Sequence, residues 1–220
     1  RGIQAAMSTF SAMRFLNLSP TAMRNPAFPG QPLGDRGENL SSVLYNICKD
    51  PSRKCALMAW VRALTPMDVQ DFMFKPDQVG RILVYLVEDE ERQTSAYSAS
   101  DGTLRFLAIA AALLESDDSR FYFLEELENG IHPTRLHLLL DLIEQNVAKE
   151  QNQVIATTHS PSLVRLVSGQ TLDYTSLIYR LEDQPDGHIR RLMDLPQHAR
   201  NVLQHRDRAQ LHESGWFEDA

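Results

Sequence analysis

The chain has 220 residues, of which 43% are hydrophobic and 23% charged, with a formal net charge of −7. That is the composition of an ordinary globular protein with a substantial core. It argues against a surface devoted to nucleic acid, because phosphate contact needs clustered Lys and Arg, and no apolar run is long enough for a membrane span.

The opening residues Arg1-Gly2-Ile3-Gln4 do not resemble a signal peptide and read as the middle of a longer protein. A cytoplasmic location is therefore expected. Cys48 and Cys55 have neither zinc-type spacing nor a disulfide-framework count, and are expected to be reduced thiols.

In chain order, an amphipathic stretch (Ile3, Met7, Phe10, Met13) precedes a Pro- and Gly-punctuated loop from Pro20 to Gly37. Short helices are expected at Leu40–Cys48 and Arg53–Leu64, then strands at Val69–Phe74 and Arg81–Val87. The acidic run Glu88–Glu91 reads as a solvated turn. From Ser98 the rhythm changes to a helix over Thr103–Leu114, then a short buried strand over Phe121–Leu124. A long helix is expected to open at Pro133, which needs no amide donor there, with Leu136, Leu139, Leu140, Ile143 and Val147 at helical spacing. A second buried strand, Gln153–Thr157, leads to a helix opened by Ser160-Pro161. This alternation is the grammar of a parallel sheet with crossovers. Two strands, Ser176–Leu181 and His188–Met193, then flank an Asp186-Gly187 turn before one or two polar helices.

Three segments carry candidate chemistry. Phe121-Tyr122-Phe123-Leu124-Glu125-Glu126 is a strand ending in two adjacent carboxylates. Ligands of parallel sheets bind beyond the carboxyl ends of strands, and paired buried acids call for a cation or a proton. The same pattern also fits a strand ending at the surface with both acids solvated. Val154-Ile155-Ala156-Thr157-Thr158-His159-Ser160-Pro161 is another strand, ending in a histidine before a helix N-terminus. Ser98-Ala99-Ser100-Asp101-Gly102-Thr103-Leu104-Arg105 places small and capping residues before an apolar helix, which suits a phosphate and equally suits an ordinary cap.

In this order the three segments resemble the ABC-type ATPase core. They are most similar to its bacterial AAA-like branch, which includes the overcoming-lysogenization-defect nucleases and SMC- and RecF-like heads. Ser100-Asp101-Gly102-Thr103 resembles the signature loop of that branch, and Glu125-Glu126 the end of its Walker B strand. Glu128-Asn129-Gly130-Ile131-His132-Pro133 resembles the D-loop, and Thr158-His159-Ser160-Pro161 the switch-histidine loop. These motifs cover roughly residues 98–165, and Ser214-Gly215-Trp216-Phe217 resembles the family's tail. Leu127 stands where the family usually has proline, and Glu125 replaces the aspartate of transporter-type heads. No GxxxxGK[ST] occurs in these residues. In the family that phosphate loop lies upstream, so the chain is expected to be the C-terminal part of a head.

The resemblance implies an α/β fold: an ABC-type ATPase core with a parallel sheet flanked by helices, plus an N-terminal, mainly helical insert lobe. The divisions it implies are 1–97 for the insert, 98–170 for the core and 171–220 for C-terminal strands and helices of that core. It implies ATP and Mg2+ as ligands and a homodimer closed around ATP. Glu126 would be the general base or water-positioning group, Glu125 would hold magnesium through water, and His159 would contact the γ-phosphate or the attacking water. Ser100, Asp101, Gly102 and Thr103 would clasp the γ-phosphate of ATP bound to the opposite protomer, with Asn129 and His132 relaying between sites. Without a phosphate loop, the 220 residues alone are expected neither to bind ATP tightly nor to hydrolyse it.

The expected partners are a second copy, a Walker A lobe of the same protein, and a nuclease or toxin-like effector in trans in defence against phage. The tail from Leu195 to Ala220 is too short for a Toprim nuclease domain. A RecF- or SMC-like DNA-repair role and an ATP-responsive scaffold with little turnover stand as alternatives. The first would need a basic track, for which Arg190, Arg191, Arg200, Arg206 and Arg208 are thin material. His198, His205 and His212, seven residues apart, read as an exposed polar helix face rather than a metal site.

Overall fold

The computed structural model describes residues 13–64, 68–115, 120–149, 152–180, 186–205, 207–214 and 216. Ile3, Met7 and Phe10 of the expected amphipathic stretch lie outside them, while Met13 opens β1 (Met13–Leu16). A single turn, α1 (Pro20–Met23), follows within the expected loop, then α2 (Leu40–Lys49) and α3 (Pro51–Leu64). Next come β2 (Val69–Pro76), β3 (Ile82–Glu88), the expected turn at Asp89–Glu91 in 3-10 form, and β4 (Gln93–Ser95), which the sequence reading did not include.

The remaining elements are α4 (Asp101–Leu114), β5 (Arg120–Leu124), a 3-10 turn at Pro133–Arg135, α5 (Leu136–Ala148) and β6 (Asn152–Ala156). The long helix therefore starts one turn later than Pro133, because Pro133 begins the tighter turn instead. Beyond them lie α6 (Pro161–Leu166), α7 (Gly169–Leu172), β7 (Ser176–Arg180), β8 (Gly187–Arg191), α8 (Gln197–His205) and α9 (Arg208–Glu213).

The chain forms two compact units, residues 1–158 and 159–220. In the first, β1, β5 and β6 make a parallel sheet in that order, and β2, β3 and β4 a separate antiparallel one. The stretch expected to be an insert lobe thus contributes a strand to the sheet that bears the carboxylates. The helix α4 is buried nearly all round from Thr103 to Leu113. A helix apolar on every side belongs inside, and α4 packs against α1, α2, α3 and α5. Tyr122 of β5 donates its hydroxyl to the Ala112 carbonyl at 2.5 Å, tying strand to helix, and burial raises its pKa above the usual tyrosine value.

The parallel sheet is covered unequally. Tyr122 and Leu124 are buried on the face toward α4, whereas Phe15 is 59% and Ile155 49% exposed on the opposite face. Phe15, Phe123 and Ile155 share one register row, and the Phe15 and Phe123 rings stack with centroids 4.4 Å apart. The sequence reading expected β5 and β6 to be buried strands. The structure corrects this, because no layer of the described residues fully covers the Phe15–Ile155 side.

Two buried asparagines stitch the far end of this unit. Asn152 opens β6, accepts from the Arg120 amide at 3.1 Å and donates to Asn146 Oδ1, while Asn146 donates to the Leu113 carbonyl. The second unit has its own core of Leu192, Leu195, Ala199, Leu203 and Leu211. In it α6 packs on α9, and Arg165 pairs with Asp207 at 2.8 Å.

Replacing Asn152 by Ala strands the Arg120 amide and one Asn146 oxygen in a buried site. The expected loss is about 2 kcal/mol, read as a fall in melting temperature of roughly 4–8 °C by thermal unfolding. An unchanged melting temperature would show that the pair does not hold the strand.

Candidate functional site

The carboxylates stand where the sheet ends. β5 is the middle strand, paired with β1 on one side and β6 on the other, and Leu124 is its last residue. Glu125 and Glu126 follow it and are both exposed, so both acids are solvated at the carboxyl end of the strand.

What fixes the turn is Thr157, the first residue after β6. Its amide donates to the Leu124 carbonyl at 3.0 Å and its own carbonyl accepts from the Leu127 amide at 3.0 Å. Its hydroxyl accepts from the Glu126 amide at 3.2 Å. The Leu127 bond needs an N–H that a proline would lack, which gives the leucine at this position a structural role. Between these bonds Glu126 adopts a left-handed backbone, φ 46°, uncommon for a residue with a side chain. Asn129 secures it from the other side, its amide donating to the Glu126 carbonyl at 2.8 Å and its side chain to Glu126 Oε2 at 3.2 Å.

The helix of the Ser100–Thr103 segment meets this turn. A Cβ on Gly102 would overlap the Gly130 carbonyl oxygen, and Gly130 itself needs φ 72° and lies against Arg105. Ser100 caps α4, accepting from the Thr103 amide at 3.1 Å and sharing a hydrogen bond with the Thr103 hydroxyl at 2.8 Å. A small cleft lined by Leu16, Arg105, Glu125, Glu126 and Asn129 lies beside the ends of β1 and β5. His132 caps the Pro133–Arg135 turn, its Nδ1 2.8 Å from the Thr134 hydroxyl.

Ser100, Asp101, Gly102, Thr103, Glu125, Glu126, Asn129 and His132 therefore all belong to the first unit, which brings the Gly102 and Gly130 segments into direct contact. His159 is exposed and opens the second unit, just before Ser160, whose hydroxyl caps α6.

Sequence reasoning missed Arg24. Its guanidinium bonds Asp101 at 2.7 Å, the Ala99 carbonyl at 3.0 Å and the Tyr97 carbonyl at 3.3 Å. No local pattern announces a partner 77 residues away.

The donor set fits magnesium. Among the described residues no group of three or more ligating side chains forms a cage. Two solvated carboxylates suit an ion that keeps several waters and takes its remaining ligands from phosphates. In the second unit three of the arginines considered as a basic track make local hydrogen bonds, and Arg190 is exposed. Arg208 donates to the Val167 carbonyl, Arg191 to that of Asp173 and Arg200 to Gln197, while Arg206 lies outside the described residues. His198 is exposed on α8, and the side chains of His205 and His212 lie outside the described set. Both cysteines are free, burial pushes the Cys48 thiol up to about 11, and no helix among the described residues is long and apolar enough to cross a membrane.

Residues 31–165, more than half the chain, match the family described as "AAA domain, putative AbiEii toxin, Type IV TA system". The ATP/GTP phosphatase of Helicobacter pylori (strain ATCC 700392 / 26695) is 33% identical over 86 residues, 37% of this chain. The match spans only 22% of that relative's length. Among solved structures, one from work on ATP-driven dimerization and DNA-stimulated activation of SMC ATPases aligns at TM-score 0.47 and 12% identity, over 73% of this chain and 91% of that one. An Smc head domain with coiled coil and joint derived from Pyrococcus yayanosii aligns at TM-score 0.47 and 14% identity, over 73% of this chain and 29% of that one.

Gly102→Ala forces a methyl group onto the Gly130 carbonyl, and backbone cannot yield as a flexible side chain can. The expected cost is about 1–3 kcal/mol in thermal or urea unfolding. Full stability in the variant would mean that the two segments do not touch.

Proposed function

The chain belongs to this AAA family, and from that membership we propose that it forms the hydrolysis half of an ATP site in a head that dimerises around ATP. The observation that carries the reading is the carboxylate pair at the end of a central parallel strand, pinned by Thr157 and Asn129 beside the Gly102–Gly130 contact.

In this mechanism Glu126 takes up the proton of the attacking water or fixes that water's orientation. Its left-handed backbone and the Asn129 bond aim one carboxylate oxygen and leave the other for the water. Glu125, exposed beside it, would hold Mg2+ through water, and the ion when bound compensates charge on the phosphates. The N-terminus of α4 clasps the γ-phosphate held by the opposite protomer, through Ser100, Thr103 and the backbone amides of Asp101 and Gly102. His159 contacts the γ-phosphate or the water, and Asn129 and His132 carry the state of one site to the other.

A phosphate-cradling lobe of the same protein would complete the site. Two features support that partner. Among the described residues β6 is an edge strand, and the Phe15–Phe123–Ile155 row is an apolar sheet face of the kind parallel sheets keep covered. The family's description names a putative toxin of a type IV TA system, which supports a role within a two-component system; in our reading the head gates an effector in trans, in defence against phage. The net charge of −7 weighs against a DNA-repair head.

ATP turnover by the full-length protein and by its Glu126→Gln variant tests the reading. The variant is expected to lose at least about a hundredfold in rate, and the 220 residues alone to show no turnover. Equal rates in both full-length proteins would remove Glu126 from the mechanism and favour a scaffold that uses ATP as a clamp.

A further inference from the structure

Asp101 poses an electrostatic problem for the γ-phosphate clasp. A carboxylate in the first turn of α4 stabilises the helix, because the macrodipole there is positive. The same carboxylate repels an anion brought to that terminus. Arg24 resolves the conflict, since one of its nitrogens bonds both Asp101 Oδ1 and the Ala99 carbonyl while Nε reaches the Tyr97 carbonyl.

The guanidinium thereby ties down residues 97–101, the segment that leads into the helix, and cancels the charge at its mouth. Arg24 is itself well placed to do this. It ends α1, whose Met23 is fully buried and whose backbone is fixed by the Arg24 amide donating to the Pro20 carbonyl at 3.2 Å. Its side chain is only 27% exposed, against 62% for Asp101. The guanidinium is thus the held partner and the carboxylate the solvent-facing one. A planar fork that satisfies carbonyls and a carboxylate together is chemistry that lysine does not reproduce.

We propose that Arg24 is a positioning residue of the phosphate clasp, setting the backbone before α4 and neutralising Asp101 so that the helix N-terminus accepts a phosphate. This rests on the ATP-site reading above. It adds a residue from outside the matched span, which begins at residue 31.

Steady-state kinetics of the full-length protein test it, with Arg24→Ala, Arg24→Lys, Arg24→Ala/Asp101→Asn and Glu126→Gln compared with the parent. Arg24→Ala is expected to raise KM for ATP about tenfold with a smaller change in kcat. Arg24→Lys is expected to fall between it and the parent. Adding Asp101→Asn to Arg24→Ala is expected to recover most of the KM.

A purely structural role predicts the opposite for the double variant. Removing a helix-stabilising charge from an already weakened segment lowers stability further and restores nothing. A KM unchanged in Arg24→Ala, or a double variant no better than the single, overturns the proposal while loss of turnover in Glu126→Gln leaves the ATP-site reading standing. Turnover that survives Glu126→Gln overturns both.

Discussion

The arrangement of the site depends on one threonine. Thr157 leaves β6 and immediately bonds three positions around the carboxylate turn: the carbonyl of Leu124, the amide of Glu126 and the amide of Leu127. Without those bonds the chain after β5 would carry two like charges on a solvated, unrestrained loop. With them, Glu126 is held in a left-handed conformation that a residue with a side chain rarely adopts. Strain of this kind persists only where the surroundings over-determine the backbone, and here the restraint comes from the neighbouring strand and from Asn129.

The second constraint is the close approach of α4 to the Gly130 turn. α4 is buried along nearly its whole length, so its position is set by packing rather than by its exposed end. Its N-terminus is then delivered against Gly130, where only a hydrogen fits at Gly102. The helix terminus and the carboxylate turn are thus parts of one rigid arrangement, because the core that fixes α4 also anchors β5 through Tyr122. A movement felt at the helix terminus would reach the turn through the backbone contact between the two glycines.

The parallel sheet, by contrast, is covered unequally by the described residues. On one face Tyr122 and Leu124 are buried toward α4, while the other shows stacked phenylalanines and an exposed isoleucine. An apolar row of this kind is a surface on which another layer can pack. The polar groups the described residues present at the end of that sheet are carboxylates and a helix terminus.

The sequence alone indicated the longer helices α2, α3, α4 and α5 though not the single turns α1 and α7, that two acids close a strand, and which family the chain resembles. Apolar spacing in α5, the capping serines at Ser100 and Ser160, and the run from Phe121 to Glu126 all act locally, and local patterns survive any tertiary arrangement. Only the tertiary structure decided that Met13–Leu16 joins the carboxylate sheet, that Leu127 is needed for its N–H, that β5 and β6 are covered on one face alone, and that Arg24 reaches Asp101. A four-residue strand has too little periodicity to declare itself, and an arginine's partner is chosen by where the backbone brings a carboxylate and two carbonyls together. Those choices rest on contacts between residues far apart in the chain, which leave no mark on the spacing of neighbours.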